Sequence, residues 1–429
     1  MKQLTLALVG CGDRGSCYLK YLDYYPEKFR LTALADPVAE KREFFREKYN
    51  VPQENCFSDL NDLLAQPRLA DIIMICTQDK MHYEPAMKAM EKGYDVLLEK
   101  PISPYIDECL KLAKTAKEKS RRVLVCHVLR YTPFYKVIKK FIQDGRLGKL
   151  MNINHTENVG NIHMSHSYVR GPWNKMSETE SMLLAKCCHD TDLLRWFADV
   201  ECVKVQSFGD RSYFTKENAP EGAPLRCTDG CPHKDTCYYY APKVYKLDTA
   251  EMQHFKAVVA GHFDPTPEEV DKALETSQYA RCVYHCDNDV VDHQVVNFEF
   301  ENGLYATLTM SAFNKGGRTT VFMGTKGELR CDLERQIAEF YDFQTMTKYD
   351  IFGNEVDEDK DGHAGGDLGI MEDLYEYVAN DNPSSSISDI EVMCVGYLMC
   401  FAAEEARKTN TVVDMTNYKE TLEKDAGIK

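Results

Sequence analysis

The chain has 429 residues, enough for two hydrophobic cores. Its 52 Lys+Arg against 68 Asp+Glu give a formal charge of −16, which excludes the broad basic surface a nucleic-acid partner needs. No run approaches the roughly 20 apolar residues of a membrane span, so no membrane partner is expected.

Leu4–Val9 is apolar and predicts a first strand, running into a glycine turn where a leader peptide would carry a cleavage site. Ser16–Tyr25 has helical spacing, Arg30–Ala35 predicts a second strand, and Pro37–Tyr49 a charged amphipathic helix. Ser58 and Asp59 offer N-cap oxygens to a helix over Leu60–Ala65. Asp71–Cys76 is nearly all apolar, as a strand buried on both faces should be. His82–Lys92 predicts a helix, Asp95–Leu98 a strand, Ile106–Lys119 a helix and Arg122–Cys126 a strand. This alternation predicts an α/β, doubly wound parallel sheet over residues 1–127.

Residues 128–429 follow another pattern. Pro133–Asp144 predicts a helix stopped by Gly145, Lys149–Asn158 an extended segment, and Glu178–Ala198 a helix. Strands then dominate: Cys202–Phe214, His293–Glu301, Leu304–Phe313, Arg318–Gly324, Glu328–Asp332 and Ile337–Asp342, with a hairpin turn at Glu301-Asn302-Gly303. Consecutive strands without intervening helices predict an antiparallel sheet in an α+β domain. Asp350–Asp361 reads as an acidic surface loop, and two helices, Leu368–Asn380 and Ile387–Lys408, close the chain.

Gly10-Cys11-Gly12-Asp13-Arg14-Gly15 is a G-x-G-x-x-G directly after a strand and opening a helix. Gly10 permits the tight turn, Gly12 lets the backbone approach a pyrophosphate, and Gly15 lets helix and strand pack closely. The helix N-terminus, with Asp13 and Arg14 in its first turn, offers free N–H groups and a positive dipole to phosphates. Asp36, 21 residues past Gly15, is placed to accept the ribose hydroxyls and to repel a 2′-phosphate, which favours NAD over NADP, although Lys41 and Arg42 lie close by.

Asp71–Cys76 is followed by Thr77 and His82, and Tyr94–Leu98 leads into Glu99-Lys100-Pro101. Together with the glycine fingerprint, His189-Asp190-Thr191-Asp192 and the antiparallel second half, this resembles the glucose–fructose oxidoreductase, inositol dehydrogenase and MocA (Gfo/Idh/MocA) family over essentially the whole chain. The resemblance implies a Rossmann domain followed by an open, mostly antiparallel sheet that pairs in homodimers or homotetramers. It implies NAD(P)-dependent chemistry on sugars, polyols or glycosides. Thr77, His82 and Glu99 are expected beside the cofactor, and Lys100 carries the family's catalytic lysine. An ammonium at the C-terminal end of a parallel strand can hold a substrate hydroxyl and stabilise its alkoxide. His189 matches the family's histidine and can take the hydroxyl proton, with Asp190 and Asp192 orienting it or binding sugar hydroxyls. The sequence departs from the inositol dehydrogenase pattern four residues earlier, where Ala185 replaces an Asp and Lys186 is the next polar residue.

Further substrate contacts are expected from Arg130 and Tyr131 at the domain junction. Others are His163, His166, Arg170 and Trp173 in a glycine-bounded loop, Lys186, and His363 in a glycine-rich turn. His163 and His166 lack a nearby carboxylate with which to bind a metal. Seventeen cysteines, an odd number scattered through apolar runs, suit a reducing, cytoplasmic setting. The exception is Cys227, Cys231 and Cys237, within a Pro- and Gly-rich insertion around 219–245. That spacing points to structural zinc, its fourth ligand drawn from Cys282, Cys286 or His233, with Cys282 preferred because a distant ligand would pin the insertion to the sheet; the alternatives are buried thiols or a disulfide.

Three activities fit. The first is an NAD-dependent dehydrogenase taking hydride from a ring hydroxyl carbon. The second is redox-assisted glycoside cleavage or epimerisation that recycles a tightly bound NAD. The third is a non-catalytic nucleotide sensor, which would need neither Lys100 nor His189.

Overall fold

The computed structural model describes residues 2–262, 264–353 and 363–428; most of the expected loop over Asp350–Asp361 lies outside them. The first six strands are β1 (Leu4–Val9), β2 (Phe29–Ala35), β3 (Cys56–Phe57), β4 (Ile72–Ile75), β5 (Asp95–Leu98) and β6 (Val123–Val125). They form an all-parallel sheet in the order β3-β2-β1-β4-β5-β6. The order reverses between β1 and β4, so a crevice opens beyond their C-terminal ends. The strands β4 and β5 are buried along their full length, as expected of runs covered on both faces.

The second sheet has nine strands: β7 (Leu150–Asn158), β8 (Cys202–Asp210), β9 (His293–Phe300), β10 (Tyr305–Ser311), β11 (Gly317–Gly324), β12 (Gly327–Asp332), β13 (Ile337–Asp342), β14 (Lys348–Asp350) and β15 (Val413–Asp414). Their order is β14-β13-β12-β11-β7-β10-β9-β8-β15, antiparallel except for the β7–β10 pair. Burial alternates along β9 and β10, so one face packs on the core and the other stands open. Phe208 on β8, Val295 on β9 and Tyr305 on β10 are exposed large apolar residues.

The last third of the chain returns to the first sheet. The helix Gly366–Asn380 places Ile370, Met371, Leu374 and Tyr375 in the core with Leu4, Leu6, Tyr18 and Phe29. The helix Ile390–Thr409 packs on β6, on the helix Ile106–Glu118 and on β8, so one apolar core runs from the first sheet to the second. A third helix, Met415–Asp425, follows the two that were expected to close the chain.

Two segments differ from the sequence expectation in ways that shape the cleft. The helix expected over Glu178–Ala198 is three pieces: Met176–Thr179, Met182–Ala185 and Cys188–Ala198. Glu180 has φ +63°, Ser181 caps a new start by accepting from the Leu184 N–H, and the chain breaks again at Lys186–Cys187. His189 therefore opens a new helix and does not share a face with Ala185. The loop expected to carry His163, His166 and Arg170 is helical, Asn161–His163 running into a π-helix over Met164–Arg170. The cysteine-rich insertion is larger than expected. It folds through the helices Ala250–Ala260 and Pro267–Thr276 into a satellite core around Tyr245, Met252, Phe255 and Leu274.

Candidate active site

The crevice begins at Gly10, whose φ is +89° and where an added Cβ would stand 2.4 Å from the Cys76 carbonyl oxygen. At Gly15 a Cβ would meet the Gly10 carbonyl at 2.8 Å and Leu8 at 3.0 Å. At Gly12 it would meet nothing within 4 Å, so the backbone is open where a pyrophosphate would approach. Gly12 gives the helix Asp13–Tyr24 no side-chain cap, which leaves the first-turn N–H groups free. Asp36 is buried, and its carboxylate accepts from the Cys11 and Val38 N–H groups at 2.8 Å each. Arg42 turns away to donate to the Asp36 carbonyl. A cavity of about 500 Å³ runs from these residues past Ser58, Leu60, Thr77, Met81 and Pro85. Glycine openings, free N–H groups and a fixed carboxylate fit an adenine dinucleotide.

Not every fingerprint residue faces this cradle. Arg14 bends inward to Glu99 (2.8 Å), Asp367 (2.7 Å) and the Tyr18 hydroxyl (2.6 Å). Tyr18 donates to the same Glu99 oxygen. Burial alone would raise the Glu99 carboxyl, but Arg14 and Lys100 hold it below its usual range. Glu99 and Arg14 thus brace the cleft, and tie it to the last third of the chain through Asp367. His82 is wholly buried, its ring nitrogens 2.7 Å from the Pro101 carbonyl and 3.1 Å from that of Thr77. It joins the two loops from within and is not among the cavity's lining.

Lys100 leaves the end of β5, and its Nζ donates to the Ala185 carbonyl at 3.4 Å, at the break in the second domain's helix. His189 lies in the first turn of the next helix, where the positive end of the dipole disfavours an imidazolium. Its Nδ1 is buried without a partner among the described residues. Burial first, then His127, Lys100, Arg318 and His363, hold its basicity well below the usual histidine range. His189 is therefore held in its neutral form, its Nδ1 unpartnered among the described residues and without the carboxylate of a typical catalytic pair. The His127 ring stands 5.2 Å from it edge-on, bonded to the Tyr397 hydroxyl. Burial lowers His127 to about 4.

Behind His189 lies a buried charge network. Asp190 accepts from Arg318 (2.8 Å) and bonds His155 (2.7 Å), so it is spent inside the protein and does not face a substrate. Burial would raise it, but Arg318 and His155 hold it below the carboxylate range. Arg318 also reaches Glu157 at 2.7 Å, while Lys186 stands 3.6 Å from Glu157 on its other side. Burial outweighs these cations and pushes the Glu157 carboxyl up.

The other expected substrate contacts divide. His163 is near enough to Lys186 and Lys100 that, after burial, both depress its basicity. His363 is part exposed and bonded to Asp367, close enough to His189 to bear on it. Arg130, by contrast, is buried in a two-pronged ion pair with Asp192 (2.5 and 2.6 Å), and the Tyr131 hydroxyl bonds Ser388. His166 is stacked on Tyr279 at 4.4 Å and bonded to Tyr245. Arg170 is fully buried, donating to the carbonyls of Arg281 and Tyr239. Trp173 packs against the core. These five are used up in packing and internal bonds: Arg130 and Tyr131 on Asp192 and Ser388, His166 and Arg170 beside the satellite core, and Trp173 on the main core. Zinc is not supported: among the described residues no three His, Cys, Asp or Glu side chains are arranged to hold a metal ion, and Cys227, Cys231, Cys237 and Cys282 are free thiols. Sequence reasoning missed Arg318 and Glu157, strand residues with no local signature, and did not single out His127.

Comparison with known proteins agrees with this geometry. Residues 4–127 match the model of the oxidoreductase family with the NAD-binding Rossmann fold (GFO_IDH_MocA). The chain is 25% identical over 395 residues to YteT of Bacillus subtilis (strain 168), a protein named as an oxidoreductase, with 86% of this chain and 88% of that one covered. It is 23% identical over 207 residues to an inositol 2-dehydrogenase of Corynebacterium glutamicum (strain R), covering 48% of this chain and 57% of that protein. Its fold matches scyllo-inositol dehydrogenase from Lactobacillus casei, solved with bound NAD(H) and scyllo-inositol. The TM-score is 0.65 at 17% identity, over 97% of this chain and 100% of that one.

Proposed function

We propose that the chain is a member of the Gfo/Idh/MocA oxidoreductases, the family whose model its residues 4–127 match, and that it acts with NAD on a sugar, polyol or glycoside. Residues 1–127 serve as the cofactor domain and 128–429 as the substrate domain. The observation that carries this reading is the convergence of Lys100, from the end of β5, with His189, from the second domain, beside an open dinucleotide cradle. NAD, when bound, supplies the acceptor for a hydride. Gly12 and the free N–H groups after it receive the pyrophosphate, and Asp36 receives the ribose hydroxyls and excludes a 2′-phosphate. Lys100 holds the reacting hydroxyl and stabilises the alkoxide as charge develops on its oxygen. His189 takes the hydroxyl proton, and the carbon's hydrogen leaves with its electron pair, giving a carbonyl.

One observation also favours a redox-neutral cycle. His189 has no carboxylate partner, while His127 and His363 stand near it and His163 stands near Lys100 for further proton transfers. In that cycle the first oxidation acidifies a neighbouring C–H, a leaving group is eliminated, water adds, and the hydride returns. Incubation with NAD and a panel of sugars, polyols and glycosides separates the two. Net NADH supports the dehydrogenase, and altered sugar without net NADH supports the cycle. Cofactor binding with no turnover of any kind would contradict both.

The open face of the second sheet, with Phe208, Val295 and Tyr305 exposed, supports a homodimer or homotetramer. Seventeen free cysteines support a reducing, cytoplasmic setting.

A further inference from the structure

Two lysine ammoniums stand at the break between Met182–Ala185 and Cys188–Ala198, each short of a hydrogen-bonded carboxylate. Lys100 Nζ has the Ala185 carbonyl at 3.4 Å. Lys186 Nζ has Glu157 at 3.6 Å, beyond hydrogen-bond reach, and its side chain is 20% exposed. The acids around them are already engaged. Glu99 is held by Arg14 and Tyr18, Asp367 by Arg14 and His363, Asp192 by Arg130, Asp190 by His155 and Arg318, and Glu157 by Arg318. The imidazoles of His163 and His189, which feel the same lysines, bring no negative charge. Ala185, which precedes Lys186 and accepts from Lys100, brings no carboxylate of its own. Glu157 is shared with Arg318 and stands too far from Lys186 for a hydrogen bond, so a ligand carboxylate could supply the charge-assisted hydrogen bond that Lys186 lacks.

We propose, resting on the oxidoreductase reading, that the substrate is a sugar acid, its carboxylate on Lys186 and its reacting hydroxyl on Lys100. The substrate then supplies the negative charge that His189 lacks when it takes the hydroxyl proton. A neutral polyol would leave Lys186 with only its long ion pair to Glu157 and His189 uncompensated.

The test measures binding to the NAD-loaded protein by calorimetry. D-Galacturonate and D-glucuronate are compared with D-galactose and D-glucose. At least one acid is expected to bind about tenfold or more tightly than its neutral counterpart, the value of a hydrogen bond to a charged group. Added salt should narrow the ratio. Lys186→Met should collapse the ratio, and Lys186→Arg should keep it. Acids that bind no better than the neutral sugars, or a ratio unchanged in Lys186→Met, overturn the inference. NADH formation is followed in parallel. Acid preference in binding without any hydride transfer would sink the oxidoreductase reading and leave the acid site standing. NADH formed only from the neutral sugars would do the reverse.

Discussion

The two walls of the cleft are made of different material. The cofactor wall is main chain: three glycines, the bare N-terminus of a helix, and one carboxylate fixed by two N–H groups, all between Gly10 and Val38. The wall proposed for the substrate is instead backed by buried charge gathered from β7, the broken helix around Lys186, β11 and the turn at His363. A wall built from backbone conformation depends on steric fit at a few positions. A wall built from ion pairs depends on every member, because removing one leaves its partner charged and dry.

Substitutions separate the two kinds of wall. Arg318→Met should have the largest effect on stability, about 3–5 kcal/mol, because Asp190 and Glu157 lose their shared cation. Chemical denaturation would show a loss of that size, and a change within error would mean that the network is loose. Gly10→Ala should cost about 1–3 kcal/mol, since its φ is +89° and the new Cβ would meet the Cys76 carbonyl. It should also weaken NAD binding, which an unaltered titration would disprove. Asp36→Ser should weaken NAD about tenfold while NADP gains relative to it. Equal losses for both dinucleotides would remove Asp36 from the ribose site.

Acidification tests the buried histidines. An unfolded histidine takes its proton near pH 6.5, whereas burial holds folded His127 to about 4. The unfolded state therefore binds more protons in that window, and stability falls as pH drops from 6.5 towards 4, by about 1.4 kcal/mol per pH unit. In His127→Gln the slope of stability against pH over this window should be shallower. An identical slope would assign the effect to other groups.

The cofactor wall was legible in the sequence because its signals are local. Strand, glycine turn and helix are contiguous, and Asp36 ends the next strand. The break ahead of His189 was not read, although Ser181 is an N-cap residue at its start. The apolar run Met182–Ala185 looks like continuous helix, and nothing local marks Glu180 for positive φ. The helices between Ala250 and Thr276 were likewise passed over, although Thr266-Pro267-Glu268-Glu269 forms a capping box. Arg318 could not be found at all: it sits on a strand 128 residues from Asp190, and only folding joins them. The cysteine spacing suggested a metal because it lies within one segment, whereas a tetrahedral site also demands convergence in space, which is absent among the described residues.

The account stands on Lys100 and His189 acting together on one hydroxyl. A double-mutant cycle on NADH formation, with Lys100→Met, His189→Asn and the pair, tests this most directly. Each single variant should slow turnover by about 10²–10⁴, and the pair should be scarcely slower than the worse single, because two groups serving one proton and one alkoxide are not additive. Losses that simply multiply, or a Lys100→Met enzyme as fast as the parent, would contradict it.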